Sequence, residues 1–295
     1  MKEKKIMHVT LVGSLVNLLL SAYKFIAGFL GNSSAMVADA VHSLSDLISD
    51  VIVIVFVHIA GKPSDSDHNY GHGKYETIAT LAIGLILFAV GIGIFISNAR
   101  GIIAFVRGIP LPEPTWVALS AAIISIVAKE GMYRYTVRYG KLMKSSAMTA
   151  NAWHHRSDAF TSIAAFLGIG GAMLFGPKFA VLDPIAAVIV SGFIVKAAID
   201  IARPAFNELT EKAVPEEDLI KIRDILTSTK GVKTFHRLRT RKIGNCMAVD
   251  VHLKMSGDIT LHEAHAIASD AEQRLRSEIN PDMIINIHME PIDKI

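Results

Sequence analysis

Two short stretches place reactive side chains inside long apolar runs: DAVHSLSD, residues 39 to 46, and NAWHHRSD, residues 151 to 158. Aligned without gaps, they share the pattern Asp/Asn, Ala, any, His, any, any, Ser, Asp. On a helix, positions i, i+3 and i+7 share a face, so Asp39, His42 and Asp46 form one stripe while Val41, Leu44 and Leu47 point elsewhere. His42 with Asp46, and His154 with Asp158, each put two ligands on one face at i, i+4. Two such helices packed together supply two imidazoles and two carboxylates. A tetrahedral set of nitrogen and oxygen ligands suits Zn2+, with bonds of about 2.0 to 2.2 Å, whereas an all-oxygen octahedral cage suits magnesium, calcium or manganese. Two aspartates also neutralise a dication where the surroundings penalise charge. Ligation requires deprotonated ligands and releases protons, so protons are the natural replacement when the metal leaves. An alternative stays open at this point. The stripe could be polar glue between helices, or Asp39 could lie near an outer helix end where water reaches it.

The elements that must position these residues are membrane-crossing helices. The chain has 295 residues, 51% of them hydrophobic, and a mean hydropathy of +0.41, high for a domain with an aqueous surface to cover. Runs long enough to cross the bilayer, about 20 apolar residues for roughly 30 Å of hydrocarbon, lie near 7–30, 34–60, 77–97, 114–137, 146–172 and 180–201. Ionisable residues at such depth usually mark a pathway for ions or protons. Spans two and five run in opposite directions, so the repeat is of the inverted type that transporters use to frame a midplane site. Residues 1–208 are therefore expected to form a six-helix transmembrane domain.

Lys2, Lys4 and Lys5, then Lys62 and Lys74, then Arg138, Lys141 and Lys144 fall on one side, against Arg100, Arg107 and Lys178 on the other. The positive-inside rule makes both termini cytoplasmic. The first apolar run lacks a small-residue cleavage site and is expected to be retained. The single cysteine, Cys246, cannot form an internal disulfide.

After residue 208 charge becomes dense and no run is long enough to cross, so 209–295 reads as a separate domain. PEEDLIKIRDILTSTKG opens with proline and acids and closes on glycine, as a helix does. FHRLRTRKIG and MAVDVHLKM read as strands, the second alternating Val249, Val251 and Leu253 with Asp250, His252 and Lys254. LHEAHAIASDAEQRLRSEI reads as an amphipathic helix and MIINIHMEP as a closing strand, an αββαβ order. HEAH at 262 to 265 is not a zinc-hydrolase signature, because its histidines are three apart and that motif needs four. A membrane-embedded zinc enzyme would keep an open position for water and a base beside it; four ligands close the shell here, and no enzyme is expected.

With the paired motifs, six spans and a C-terminal α+β domain, the chain resembles the cation diffusion facilitator family of divalent metal/proton antiporters. The loop GKPSDSDHNYGHGKYE carries the resemblance further through its Tyr-Gly-His-Gly-Lys core. On residue types alone that loop reads better as a solvated turn; the resemblance implies that Asp65, His68 and His72 bind a second metal. It further implies an ion pair between Lys74 and Glu211 near the membrane surface. For the tail it implies a cytoplasmic, metallochaperone-like (ferredoxin-like) domain that pairs in a homodimer, with His236, His252, His265, His288 and Glu290 at ligand positions. Glu290 stands where the family usually carries Asp.

His42 is also a departure, since many bacterial members place two aspartates on helix two while zinc-preferring eukaryotic members have this arrangement. An imidazole there favours Zn2+ over Mn2+. The expectation is a Zn2+/H+ antiporter of a bacterial inner membrane working by alternating access, with Fe2+, Co2+, Cd2+ or Mn2+ as alternative cargo. Asp39 and Asn151 would support the ligands or line the path. No nucleic-acid partner is expected. The rival of another class is a membrane metal sensor or scaffold that does not transport, and it has no need of the membrane quartet.

Overall fold

The computed structural model describes residues 2–60, 62–142, 146–244 and 246–292, without the side chains of 2–11, 46, 49–59, 146–148, 150, 151 and 154. Six long helices come first: α1 (Lys2–Leu30), α2 (Ser34–Ala60), α3 (Lys74–Val106), α4 (Trp116–Leu142), α5 (Ser146–Phe175) and α6 (Leu182–Leu209), with a 3-10 turn at Pro177–Phe179 before α6. Among the described residues, five stretches are long and apolar enough to cross a membrane, at Val12–Leu30, Lys74–Val106, Trp116–Leu142, His155–Phe175 and Pro177–Leu209. The sixth helix, α2, has 27 residues, about 40 Å at 1.5 Å per residue. Helix α3 is longer than the span expected from its apolar run, beginning at Lys74 and reaching Val106.

The chain divides into two compact units, Met1–Ile52 with Ala82–Ile201, and Val53–Leu81 with Ala202–Ile295. In the first, the core is built of small side chains: Ala27, Ala35, Ala38, Ala118, Ala121, Ala122, Ala165, Ala186 and Ala187 surround Met36, Ile169, Val190 and Ile194. Lipid-facing helices gain little from burying apolar area against one another, so close backbone approach and dispersion carry their association. Gly31 illustrates it, since a Cβ there would lie 2.8 Å from the Ala118 nitrogen. At Gly168 an added Cβ would collide with the Ala186 side chain and lie 2.8 Å from the Leu182 carbonyl oxygen. The start of α2 is fastened to α6. The Asp183 carboxylate accepts from Ser33 Oγ at 2.6 Å and from the Ser34 amide at 2.7 Å, while Ser33 Oγ accepts the Met36 amide at 3.0 Å. These bonds satisfy amides that a helix start leaves without intrahelical partners.

In the second unit, α7 (Glu216–Ser228), β1 (Thr234–Ile243), β2 (Cys246–Met255), α8 (Leu261–Glu278) and β3 (Ile284–Pro291) realise the αββαβ order read from the sequence. The sheet order is β1-β2-β3, antiparallel between β1 and β2 and parallel between β2 and β3. The alternation along β2 is the expected one: Val249, Val251 and Leu253 are buried with Ile222, Leu226, Ala271 and Leu275 of the helices. Helix α8 opens with a capping box in which Thr260 Oγ1 accepts the Glu263 amide and the Glu263 carboxylate accepts the Thr260 amide.

Candidate metal sites

The alternation that buries Val251 and Leu253 turns His252 to the opposite face of the sheet. Register does the rest. His236 of β1 stands opposite His252, and His252 stands opposite His288 of β3, so three imidazoles form a row across the sheet. Glu290, two residues beyond His288, returns to the same face and reaches back. Its Oε2 lies 2.8 Å from His236 Nε2, and its Oε1 lies 2.6 Å from His252 Nδ1 and 3.7 Å from His288 Nε2. Hydrogen bonds from His252 and then His236 hold the Glu290 carboxyl down to about 2, from an ordinary 4.5. His236, His252 and Glu290 bring one ligand atom each within 4.8 Å of one another, a spacing a single ion can bridge. His265 sits on the exposed side of α8 and is not part of this three-residue cluster. Strand β1 bends between His236 and Arg239, with Arg237 at φ 51°. That irregularity changes the pairing immediately after the first histidine of the row.

The loop before α3 makes a second cluster. Asp65, His68 and His72 also bring ligand atoms within 4.8 Å of one another. Asp65 Oδ1 accepts the His68 amide at 2.7 Å and the Asp67 amide at 3.0 Å, which folds the loop and holds the Asp65 carboxyl below its usual range, the His68 amide contributing most. Its two oxygens lie 3.6 Å from His68 Nδ1 and 3.5 Å from His72 Nε2. Among the described residues, the buried Nδ1 atoms of both histidines have no hydrogen-bond partner, an arrangement that costs free energy unless something binds there. Gly71, at φ 78°, supplies the turn between them.

Lys74 and Glu211 form the expected ion pair. Glu211 also takes Arg241 Nε at 3.1 Å, so the pair extends onto β1. Sequence reading missed Glu208, one turn earlier. Its carboxylate accepts Thr77 Oγ1 at 2.7 Å and the Gly244 amide at 2.7 Å, joining the start of α3, the end of α6 and the β1–β2 turn.

Inside the first unit, His42 and Asp158 are both buried. Among the described residues, His42 Nδ1 has no hydrogen-bond partner. Asp158 Oδ2 lies 2.8 Å from Lys129 Nζ, which also donates to Asn17 Oδ1 at 2.8 Å. The side chains of Asp46, His154 and Asn151 fall outside the described residues. Asp39 corrects one alternative: it is not at a watery helix end but wholly buried, 2.8 Å from Lys24 Nζ and accepting from Thr161 Oγ1 at 2.7 Å and Ser162 Oγ at 2.8 Å. Lys24 in turn donates to Ser43 and Ser162. The two buried lysines were passed over because each is a single cation in an apolar run, and nothing in the run itself says which acid it meets.

The pattern described as "Cation efflux transmembrane domain" matches residues 10–210, and that described as "Cation efflux protein, cytoplasmic domain" matches 214–292. The chain belongs to the cation diffusion facilitator family. It is 34% identical to the manganese efflux system protein MneP of Bacillus subtilis over 98% of this chain and 97% of that one. It is 37% identical to metal tolerance protein C1 of Arabidopsis thaliana over 92% of this chain and 59% of that protein. The solved CzrB structure is 29% identical, covering 28% of this chain and 100% of that one at a TM-score of 0.26. As a member of this family the chain is an integral membrane protein with a dimerisation-type C-terminal domain.

Proposed function

We propose that the chain exports a divalent metal cation in exchange for protons, by alternating access at a site formed by His42, Asp46, His154 and Asp158 of α2 and α5. The observation that carries the reading is the bridge between these helices, in which Asp39 of α2 accepts from Thr161 and Ser162 of α5. The two helices are an odd number of spans apart and so run oppositely. One turn beyond Asp39 and one turn before Thr161 then reach the same depth, where His42 and Asp158 stand. A buried imidazole nitrogen with no hydrogen-bond partner among the described residues fits a metal-ligand role.

Zn2+ is the cargo best suited to two imidazoles and two carboxylates. Mn2+ is the second reading, favoured by the similarity to MneP and to the manganese efflux system protein MneS of Bacillus subtilis, 33% identical over 96% of this chain. The loop cluster and the row of tail histidines would hold further ions, with His265 as an additional ligand in the assembled homodimer, and tail metal would tighten that dimer. The Lys74–Glu211 pair is half exposed and contributes little energy, roughly 0 to 1 kcal/mol; its value lies in fixing geometry. Both termini would face the cytoplasm.

The test is transport by the purified protein in liposomes under an imposed pH gradient, with Zn2+ and Mn2+ offered separately. Proton-coupled flux of one metal, lost in Asp158→Ala, is the expected result. Flux that persists in that variant contradicts the assignment.

A further inference from the structure

The carboxylate of Asp158 is paired with the ammonium of Lys129, from α4, a helix that carries neither motif. Lys129 is fully buried. Its Nζ is 2.8 Å from Asp158 Oδ2 and 2.8 Å from Asn17 Oδ1, on α1. The second buried pair is organised differently. Lys24 and Asp39 are paired with each other and bonded to Ser43, Thr161 and Ser162, the last of which also meets Ser125 of α4. Lys129, by contrast, is shared between a charged acceptor and a neutral one on another helix, and its flexible four-carbon stem can turn from one to the other. A carboxylate buried without a cation is strongly unfavourable, and a dication bound to Asp158 cannot tolerate an ammonium at hydrogen-bond distance from the same oxygens.

We propose that Lys129 is the resident counter-ion of the transport site: its ammonium holds Asp158 while no metal is bound, and the arriving dication displaces it toward Asn17. This inference rests on the transport site proposed above. Lys129 would then be a positioning residue that sets how tightly metal is held and how readily it is released. Removing the ammonium would take away a cation that competes with metal for the aspartate, and replacing it by a guanidinium, with its paired donors for a carboxylate, would hold the aspartate more firmly.

The experiment is equilibrium zinc titration of the full-length protein in detergent, with Asp158→Ala identifying the membrane component of the isotherm. Lys129→Met is expected to tighten that component about tenfold, from the removed like charge, and Lys129→Arg to weaken it. In liposomes Lys129→Met should lower both KM and kcat, since metal held longer leaves more slowly. Lys129→Gln retains a donor for Asp158 and Asn17; should the methionine variant fail to fold, the glutamine variant decides in its place. Neutral variants that bind zinc as wild type does, or more weakly, overturn the counter-ion role, as does an arginine variant that binds more tightly. If Asp158→Ala leaves the isotherm unchanged, it is the transport-site reading that fails instead.

Discussion

Asp39 and Lys24 make the clearest case at the scale of single residues. Neither is exposed, and each satisfies the other. Breaking one side of such a pair typically costs about 3–5 kcal/mol because the remaining charge is left buried. Lys24→Met is therefore expected to lower the melting temperature of the detergent-solubilised protein steeply, and Lys24→Met with Asp39→Leu to recover much of the loss; a double variant no more stable than the single one would contradict this. In the tail, the Glu290 carboxyl is held down to about 2 in the folded chain, against an ordinary 4.5. Its contribution to stability is fully present above the ordinary value and is lost as pH falls through the native one. Acid unfolding of the metal-free protein should thus steepen below about pH 4.5 and flatten in Glu290→Gln; curves that coincide would mean the histidine contacts contribute nothing. His42→Asp, which restores the two-aspartate arrangement, is expected to widen transport toward Cd2+ or Mn2+, and an unchanged metal profile would remove His42 as selector.

Elements decide which of these residues can meet. The six helices, the αββαβ tail and the buried face of β2 were legible in the sequence because apolar run length and alternation are local signals. The row His236–His252–His288 was legible only as positions resembling those of a family. Its contact depends on strand register, which no single segment encodes. Lys24, Lys129 and Glu208 were not read at all, because their partners lie 15 to 131 residues away on other elements. Helix packing offers its own check. Gly168→Val would drive a branched side chain into Ala186 and Leu182 of α6, so loss of monodisperse protein is expected, whereas Gly93→Ala, with open space around it, should purify as wild type. Thr260→Ala removes half of the α8 capping box and should cost about 1 kcal/mol, visible as a lower melting temperature; an unchanged one would show that the cap contributes nothing.

At the scale of the whole molecule, the chain combines a membrane unit that buries acids beside cations with a second unit that gathers histidines around acids. In the membrane unit a carboxylate held away from water needs a cation or donors close by; in the loop and tail the partly exposed carboxylates are held down by hydrogen bonds to their charged form. In the membrane unit the present cation is an ammonium, and in the loop and tail the donors are backbone amides and imidazoles. A dication that takes protonated ligands must release their protons, so metal binding should be linked to proton release wherever its ligands carry protons, whereas displacing the ammonium moves a charge without releasing a proton. The most direct measurement is of stoichiometry: zinc bound per chain in protein lacking the loop and tail ligands through Asp65→Ala, His72→Ala, His252→Ala and Glu290→Ala, compared with the same protein carrying Asp46→Ala and Asp158→Ala in addition. The account predicts one retained zinc in the first protein, with proton release on binding, and none in the second. Equal zinc content in the two would contradict a dication site between α2 and α5.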